Sequence, residues 1–377
     1  MKIGILTFHC AINYGAVLQA YGLQEVLKSM GHDVYIIDYR PEYLKSPYRL
    51  FFPEAVKGHG FLGNIRFFVR ELLALPIRYK RRCAFNGFIK KHLHLANLDF
   101  QSEDNDFDCF VFGSDQIWNP QITEGDPVFF GDAPCFNGKK MFVYAASAGS
   151  VDALKEIDKV QLKTWLSKFS ALSVREKSLS HYLSEELQLE NQLVIDPVLL
   201  AGKDVFHQIT SSKKIYKPYL LFFSLLWDDD ALRIAKQYAQ LHELDIIEMY
   251  SIKVSIRNNS VLHSLSPIEF VEYFQNATFI VTNSFHGTVF SAVFHKPFIC
   301  VASNFGKSRF YSLLDMLGLQ DRLVDVSNQI DFRHIEIDWN SVDEILYDKR
   351  NDSISFLEEC LSYNKVALID NKIQCQN

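Results

Sequence analysis

The chain has 377 residues, of which 48% are hydrophobic and 22% are charged. This composition excludes a disordered protein, and the length suffices for two domains that each bury a sizeable core. The net charge of −6 argues against a generic nucleic-acid binder, which is normally basic, so no nucleic-acid partner is expected. An anionic substrate must then be held by local arginines and helix ends.

Cysteine usage and apolar runs bear on localisation. The seven cysteines are scattered without a CxxC spacing, which indicates reduced, mostly buried thiols in a cytosolic protein. Residues 1–8 have the pattern of a strand, and no cleavage region follows as it would in a signal peptide. No apolar run approaches the roughly 20 residues of a transmembrane helix. We therefore expect a cytoplasmic protein, which could still touch the inner face of a membrane.

The first 40 residues predict a strand, a helix and a second strand. Residues 3–8 and 34–39 are apolar runs typical of buried strands. Apolar residues at 3-4-3 spacing from Ala20 to Met30 form one helix face, which Gly31 ends. Such a βαβ opening favours a parallel sheet.

Residues 50–95 interrupt this alternation with a segment rich in aromatic and basic residues. We interpret the segment as a helical insertion. A solvated basic face is the ordinary explanation of its charge. The alternative is adhesion to anionic lipid or to a polyprenyl-phosphate-linked substrate.

The strand–helix alternation then resumes and predicts two similar halves. Further strands are expected at 109–112, 141–146 and 172–174, and a second series begins at 219–226 after a Ser/Lys-rich linker candidate at 203–217. We therefore predict an α/β protein with two Rossmann-like domains facing across a cleft, residues 1–205 and 206–377. The last helix could cross back to the first domain.

The most informative segment is 276–302. A predicted strand at 278–282 leads into Asn283-Ser284-Phe285-His286-Gly287 and then into a small-residue helix and another strand. In a parallel sheet this polar turn lies at the carboxyl end of a strand, where open α/β sheets bind ligands. Hydroxyls, an imidazole and helix N-terminal amides suit a bound anion and a proton transfer. A buried structural histidine is the alternative for His286.

Three further side chains follow predicted strands. Asp115 could cap a helix or act as a base towards a hydroxyl. Trp118 could belong to the core or form a stacking wall for a sugar ring. For Arg175, a bidentate grip on a carboxylate or phosphate is favoured over an ion pair with Glu176 or Asp196.

Two cations follow the segment 276–302, and several common catalytic and nucleotide-binding motifs are absent from the sequence. Lys307 and Arg309 follow the last strand of 276–302 beyond a loop at 304–306, either as solvated charges or facing the cleft. There is no P-loop, HExxH or GxSxG, and the single GxGxxG spacing, at 58–63, follows no predicted strand, which counts against a dehydrogenase or kinase. No His/Asp/Glu cluster has metal spacing, so no metal is expected.

Together and in this order, the blocks resemble the polysaccharide pyruvyl transferase family. The matching segments are 4–8, 13–20, 113–119, 144–147, 173–176, 196–197 and 282–288, and the resemblance extends from residue 1 to about 320. It implies a fold similar to the two-domain GT-B glycosyltransferases. It also implies transfer of the carbon skeleton of phosphoenolpyruvate onto two hydroxyls of a sugar, as a cyclic ketal, during assembly of a capsule or other surface polysaccharide.

The resemblance also implies roles for individual residues. In characterised members an Arg-Leu-His triplet and a second arginine line the phosphoenolpyruvate site. The histidine corresponds to His286 and the second arginine to Arg175, whereas Ser284 replaces the arginine of the triplet. Arg309 or Lys307 would have to supply the missing charge.

On this basis His286 is expected to be the acid and Asp115 the base. The residues expected to contact substrate are Asn13, Tyr14, Trp118, Ser147, Arg175, Ser284, Phe285, Gly287, Lys307 and Arg309. Phosphoenolpyruvate is the expected donor, no cofactor is expected, and the sugar acceptor could be linked to a polyprenyl phosphate or a nucleotide. The alternatives are a GT-B glycosyltransferase using a nucleotide sugar and a catalytically idle sugar-binding protein of a polysaccharide locus.

Overall fold

The structure is a computed structural model and describes residues 1–52, 60–211, 217–251, 261–301, 307–325, 332 and 336–362. For residues 60–63 it describes the backbone alone. The loop predicted at 304–306 and part of the linker predicted at 203–217 lie outside the described residues.

Two open parallel sheets organise the chain. The first has five strands in the order β3-β2-β1-β4-β5 and the second has six in the order β10-β9-β8-β11-β12-β13. The strands of the first sheet are β1 (Lys2–Leu6), β2 (Asp33–Ile37), β3 (Leu95–Ala96), β4 (Cys109–Phe112) and β5 (Lys140–Val143). Those of the second sheet are β8 (Tyr219–Ser224), β9 (Asp245–Tyr250), β10 (Val261–Leu262), β11 (Phe279–Thr282), β12 (Phe298–Val301) and β13 (Leu323–Val324). A separate pair comprises β6 (Ser173–Val174) and β7 (Gln192–Leu193).

Both sheets follow the Rossmann order, in which the chain starts in the middle, moves to one edge and then returns to the other side of the first strand. All named strand pairs are parallel. The predicted α/β fold with two Rossmann-like sheets is therefore confirmed. Ligands bind such sheets beside the point where the strand order reverses, between β1 and β4 and between β8 and β11.

Helices cover both sheets. Their bounds are α1 (Tyr14–Ser29), α2 (Glu42–Lys45), α3 (Gly60–His92), α4 (Pro120–Thr123), α5 (Val151–Leu154), α6 (Lys159–Leu166), α7 (Lys177–His181), α8 (Pro197–His207), α9 (Asp229–Leu241), α10 (Pro267–Asn276), α11 (Phe285–Val293), α12 (Lys307–Met316) and α13 (Trp339–Ser362). The helix α3 lies within the insertion predicted at 50–95. None of the helices in the described part of the chain is long and apolar enough to cross a bilayer.

One hydrophobic cluster spans both halves, beside a second cluster within the first half and a third within the second half. The ring of Tyr14 at the start of α1 lies 4.4 Å from that of Phe270 in α10 and 5.0 Å from that of Phe85 in α3. At the other end of the chain, Phe356 of α13 packs 6.3 Å from Phe142 in the first sheet, measured between ring centroids. Ser353 of α13 accepts a hydrogen bond from the Ile195 amide at 3.2 Å. The last helix thus contacts the first half of the chain.

Candidate functional site

A cavity of about 720 Å³ lies between the sheets, at the carboxyl ends of their central strands. Its walls come from segments that follow β1 and β4 in the first sheet and β8 and β11 in the second. The described residues that line it are Phe8, Ala11, Asn13, Ala16, Tyr43, Leu44, Ser46, Pro47, Tyr48, Asp115, Gln116, Gln121, Ile122, Glu124, Leu225, Leu226, Trp227, Asp228, Asn283, Ser284, Phe285, His286, Arg309 and Phe310. The cavity therefore lies beside both points of strand reversal.

The turn between β11 and α11 fixes the position of His286. Ser284 caps α11, because its hydroxyl accepts a hydrogen bond from the Gly287 amide at 3.3 Å. A Cβ at Gly287 would lie 2.2 Å from the Thr282 hydroxyl, so only glycine fits there. His286 therefore sits in the first turn of α11, at the helix end that favours negative charge. Gly287 packs against Thr282 and is not among the described residues that line the cavity, so its contact with substrate stays a prediction.

Asn283 joins the ends of two strands. Its side-chain oxygen accepts from the Ser224 hydroxyl at 2.9 Å and from the Leu225 amide at 3.1 Å, and its side-chain nitrogen donates to Asp228 at 2.9 Å. These bonds hold the segment after β8, including Trp227, against the cavity.

His286 packs directly against the amino end of α1. A Cβ at Gly15 would lie 2.1 Å from Nδ1 of the imidazole, so the ring lies flush on the glycine. The other ring nitrogen, Nε2, is buried and 3.7 Å from a carboxylate oxygen of Asp196, which is too long for a hydrogen bond. Among the described residues Nε2 has no hydrogen-bond partner. The imidazole of this cavity-lining histidine thus directs Nε2 towards the Asp196 carboxylate and makes no hydrogen bond through it.

Arg175 lies behind His286 and forms the centre of a buried ion cluster. Its guanidinium donates to Asp196 at 2.5 Å and to Asp115 and Glu176 at 3.3 Å each, and its side chain is 1% exposed. Three internal carboxylates thus already pair with the guanidinium that was predicted to grip a substrate anion, although Arg175 also lines a smaller cavity of about 310 Å³. The ion pair considered as the alternative is present, and Arg175 does not line the main cavity.

The cluster sets the charge state of Asp196. Burial alone would raise the pKa of its carboxyl, but His286 and Arg175 beside it hold that pKa at about 2. The carboxylate also caps α8 by accepting from the Val198 amide at 2.9 Å. Burial raises the pKa of the third acid, Glu176, against the opposing effects of Arg175 and of a hydrogen bond with Ser147.

Asp115 reaches both the ion cluster and the cavity. It lines the cavity and contacts Arg175, and it adopts a left-handed backbone conformation with φ of +69°. It does not cap a helix, since α4 begins at Pro120 and its cap is Asn119. Its carboxylate is therefore placed where it could accept a proton from a bound hydroxyl.

Arg309 of α12 is the cation that faces the cavity. Its guanidinium lies 5.8 Å from the ring of Phe285, and Arg175 lies 4.5 Å from the same ring. Burial, and next the charge of Arg175, lower the pKa of Arg309. Within the described residues no carboxylate is within ion-pair distance of it and its Nε has no hydrogen-bond partner. A bound anion would complete the contacts of this guanidinium.

Three other residues predicted to contact substrate are buried, and a fourth, Lys307, is half-buried outside the described cavity lining. Trp118 is fully buried and its indole nitrogen donates to the Phe129 carbonyl at 3.2 Å, so it belongs to the core. Tyr14 is fully buried, and its hydroxyl donates to the Leu265 carbonyl at 3.1 Å. Ser147 is buried and supports Glu176. Lys307 is absent from the described cavity lining, and its neighbours 302–306 lie outside the described residues. Asn13, Ser284, Phe285, His286 and Arg309 do line the cavity.

Sequence reasoning missed the aromatic wall of the cavity. Trp227 follows β8, is 43% exposed and stacks on Tyr250 with ring centroids 5.2 Å apart. Tyr43 and Tyr48 come from the segment after β2. Burial raises the pKa of Tyr48 to about 12, and its hydroxyl is hydrogen-bonded with Asn13. A tryptophan directly after a predicted strand was the available signal for this wall.

The described residues contain no group of three or more His, Cys, Asp or Glu side chains that could hold a metal ion.

Comparison with solved structures finds chains that are similar along almost their whole length at low sequence identity. A UDP-GlcNAc 2-epimerase from Neisseria meningitidis bound to UDP-GlcNAc is 9% identical, with 96% of this chain and 100% of that chain covered and a TM-score of 0.48. A putative UDP-N-acetylglucosamine 2-epimerase from Listeria monocytogenes is 9% identical, with 97% of this chain and 96% of that chain covered and a TM-score of 0.45. The glycosyltransferase SnogD from Streptomyces nogalater is 11% identical, with 94% of this chain and 95% of that chain covered and a TM-score of 0.41.

Sequence comparison is more specific. No curated protein sequence matches the chain significantly. The family model described as polysaccharide pyruvyl transferase matches residues 13–304, a span that runs from the cap of α1 past β12 and includes His286, Asp115 and the ion cluster. The chain therefore belongs to the polysaccharide pyruvyl transferase family, whose members are transferases of polysaccharide biosynthesis.

Proposed function

We propose that the protein transfers the pyruvyl group of phosphoenolpyruvate onto two hydroxyls of a sugar, forming a cyclic ketal in surface polysaccharide assembly. The observation that carries this proposal is that Arg309 and His286 line the same cavity. Arg309 has no carboxylate partner among the described residues, and His286 has a ring nitrogen without a hydrogen bond. An anion grip and a proton source in one place are what the reaction needs.

The donor end of the cavity suits a phosphate or carboxylate. Arg309 supplies the charge, and the amino end of α11 adds backbone amide dipoles. Arg309 thus supplies the charge of the family's triplet arginine, whose position in this chain is occupied by Ser284. Arg175 acts indirectly here, because it orients Asp115 and Asp196 instead of touching the donor.

The reaction follows from these groups. His286 delivers a proton to the methylene carbon of phosphoenolpyruvate, which leaves an oxocarbenium-like carbon that bears the carboxylate and the phosphate ester. A sugar hydroxyl attacks that carbon while Asp115 accepts its proton. The bond to the phosphate oxygen then breaks and phosphate leaves. The second hydroxyl attacks the same carbon, closes the ring and returns a proton to His286, while Asp115 passes the proton of the first hydroxyl to the departing phosphate, so one phosphate is released for each ketal formed.

The acceptor end of the cavity is aromatic. The open face of Trp227 and the rings of Tyr43 and Tyr48 offer flat apolar surfaces for the C–H face of a sugar. Gln116 and Asp228 lie on the same cavity and offer hydrogen bonds to hydroxyls. We propose a sugar linked to a polyprenyl phosphate or a nucleotide as acceptor, and a cytoplasmic reaction beside the inner face of the membrane.

Binding measurements with Arg309→Met test the anion grip. We expect phosphoenolpyruvate to raise the melting temperature of the wild type and to bind Arg309→Met about 10- to 100-fold more weakly, the value of a hydrogen-bonded charge pair. Lys307→Met is the matched control and should bind phosphoenolpyruvate normally, because Lys307 is not part of the described cavity lining. Stabilisation by a nucleotide sugar with none by phosphoenolpyruvate would favour glycosyl transfer. Phosphoenolpyruvate binding without turnover on any acceptor would favour an idle binding protein.

A further inference from the structure

The helix α3 carries an exposed apolar stripe. The described part of the chain has twelve exposed large hydrophobic side chains, and half of them lie on this one helix, each between 45% and 60% exposed. They are Ile65, Phe68, Val69, Leu72, Leu73 and Tyr79. The spacing from Ile65 to Leu73 keeps these side chains on one side of the helix over about 12 Å, at 1.5 Å rise per residue, and Tyr79 follows beyond Pro76.

The opposite side of α3 already packs on the protein. Ala74, Arg81, Phe85 and Phe88 are buried. Arg81 donates to the carbonyls of Ile12 and Tyr250 at 3.3 Å each and so ties α3 to both halves. The exposed stripe is thus a second apolar face that the packing of the helix does not use. Contiguous apolar patches of this kind mark interaction sites.

The charge beside the stripe is of one sign. The exposed charged side chains of residues 64–91 are all basic, namely Arg66, Arg70, Lys80, Lys90 and Lys91. The lone acid of this stretch, Glu71, is buried and held by Arg78 through two bonds of 2.6 and 2.9 Å. In a chain of net charge −6 this stretch is a local positive surface, complementary to an anionic one.

We infer that the stripe of α3 docks onto an anionic lipid surface. A helix lying in the membrane interface inserts an apolar face below the headgroups and places flanking Lys and Arg side chains against lipid phosphates. The apolar stripe with its basic neighbours on α3 has both parts. A second copy of this chain would meet the same basic side chains, and this like-charge contact disfavours a dimer through the same face.

Docking would also bring the membrane close to the cavity. Arg82 of α3 donates to the Tyr48 carbonyl at 2.8 Å and Arg78 donates to the Leu50 carbonyl at 2.9 Å. The segment held in this way includes Pro47 and Tyr48, which line the cavity. An acceptor sugar on a lipid phosphate could then reach the cavity from the headgroup region. This last step rests on the proposed function, whereas docking itself does not.

Vesicle sedimentation tests the docking surface. The variant Leu72→Asp/Leu73→Asp places two charges in the stripe at exposed positions. Val160→Asp/Tyr347→Asp changes two exposed hydrophobic residues on α6 and α13 and is the matched control. We expect the wild type and the control to bind vesicles containing about one third phosphatidylglycerol more tightly than pure phosphatidylcholine, with binding that weakens as salt is added. The α3 variant should bind at least about tenfold more weakly.

Three results would overturn the inference. The first is a wild type that does not bind anionic vesicles, and the second is equal binding by the two variants. The third is a dimer in light scattering that the α3 variant converts to a monomer, since a second copy would then cover the stripe. Transfer onto a water-soluble acceptor should be the same in the α3 variant and the wild type, so a failure of docking and a failure of the proposed reaction are separately visible.

Discussion

The position of the His286 ring depends on the absence of a side chain at Gly15. The two residues belong to different halves and are more than 250 positions apart, yet a Cβ on the glycine would overlap the imidazole. The sequence marked both residues, since Gly15 is in a matching block and His286 in the polar turn. Their contact could not be predicted, because it depends on how the amino ends of α1 and α11 meet.

Gly15→Ala should therefore impair activity more than stability. Alanine favours helix by up to about 1 kcal/mol, but here its methyl group displaces the imidazole, so we expect turnover to fall by about 100-fold. Gly87→Ala in α3 is the control, because a Cβ there meets nothing within 4 Å and turnover should not change. Phosphate release measured for both variants makes the comparison. Normal turnover by Gly15→Ala would mean that the ring position is unimportant.

Replacing Trp227 should weaken binding of the sugar acceptor and leave binding of the phosphoenolpyruvate donor unchanged. Removing the exposed indole in Trp227→Ala takes away the proposed stacking surface, so we expect the KM for the sugar to rise about tenfold, the value of one aromatic contact. The affinity for phosphoenolpyruvate should stay as it is. Tyr347→Ala, an exposed aromatic residue on α13, serves as the control. An unchanged acceptor KM in Trp227→Ala would remove this wall from the acceptor site.

Among the helices and strands, α8 is connected to the site through Asp196, which lies between β7 and α8. The carboxylate caps α8, pairs with Arg175 and faces His286. Its pKa of about 2 lies below the ordinary value of about 3.9, so its charged form stabilises the folded protein. A group with a lowered pKa contributes fully above its unfolded pKa and loses that contribution as the pH falls through the folded pKa.

The stability of Asp196→Asn should show this dependence. At pH 7 we expect the variant to be less stable than the wild type by about 2–3 kcal/mol. The difference should persist down to about pH 4 and shrink as the pH falls towards 2. Free energies of unfolding from denaturant titrations at several pH values provide the measurement. A difference that stays constant across this range would show that the carboxylate is not held charged in the fold.

Elements with continuous apolar runs were predictable, and those stabilised by pairing were not. The predicted strands at 109–112 and 298–301 have the observed bounds. The strand β9 was missed because Glu248 interrupts its apolar run, although the Tyr250 hydroxyl donates to that glutamate at 3.0 Å in the fold. Asp115 was a reasonable helix cap by composition, but the helix starts only after Asn119.

For the whole molecule, the two-sheet architecture followed from the repeated strand–helix pattern. The sequence did not predict which arginine faces the cavity. Arg175 directly follows a predicted strand, a position typical of an exposed anion-binding residue, but in the fold three carboxylates surround it. Arg309, one of two candidates in the sequence, is brought to the cavity by α12. Asp115 and Asp196, which lie 60 and 21 positions from Arg175, enclose that arginine, whereas Arg309 has no carboxylate partner among the described residues.

The shared hydrophobic cluster predicts a single unfolding transition. Tyr14 of α1 packs between Phe85 and Phe270, and α13 returns to the first sheet, so the cluster that spans both halves loses its packing if either half unfolds. We expect one calorimetric transition for the full chain, with a van't Hoff enthalpy equal to the calorimetric enthalpy. Two separate transitions would indicate halves that fold independently.

The most direct test of the proposed reaction uses isotope-labelled phosphoenolpyruvate and a candidate acceptor sugar. The wild type should release one phosphate for each labelled pyruvyl group that appears on the acceptor as a ketal. His286→Asn, which keeps the size and polarity of the side chain without its proton transfer, should lose about 100- to 10,000-fold in rate. Label that never reaches any sugar, or a His286→Asn protein that transfers it at the wild-type rate, would contradict the proposal.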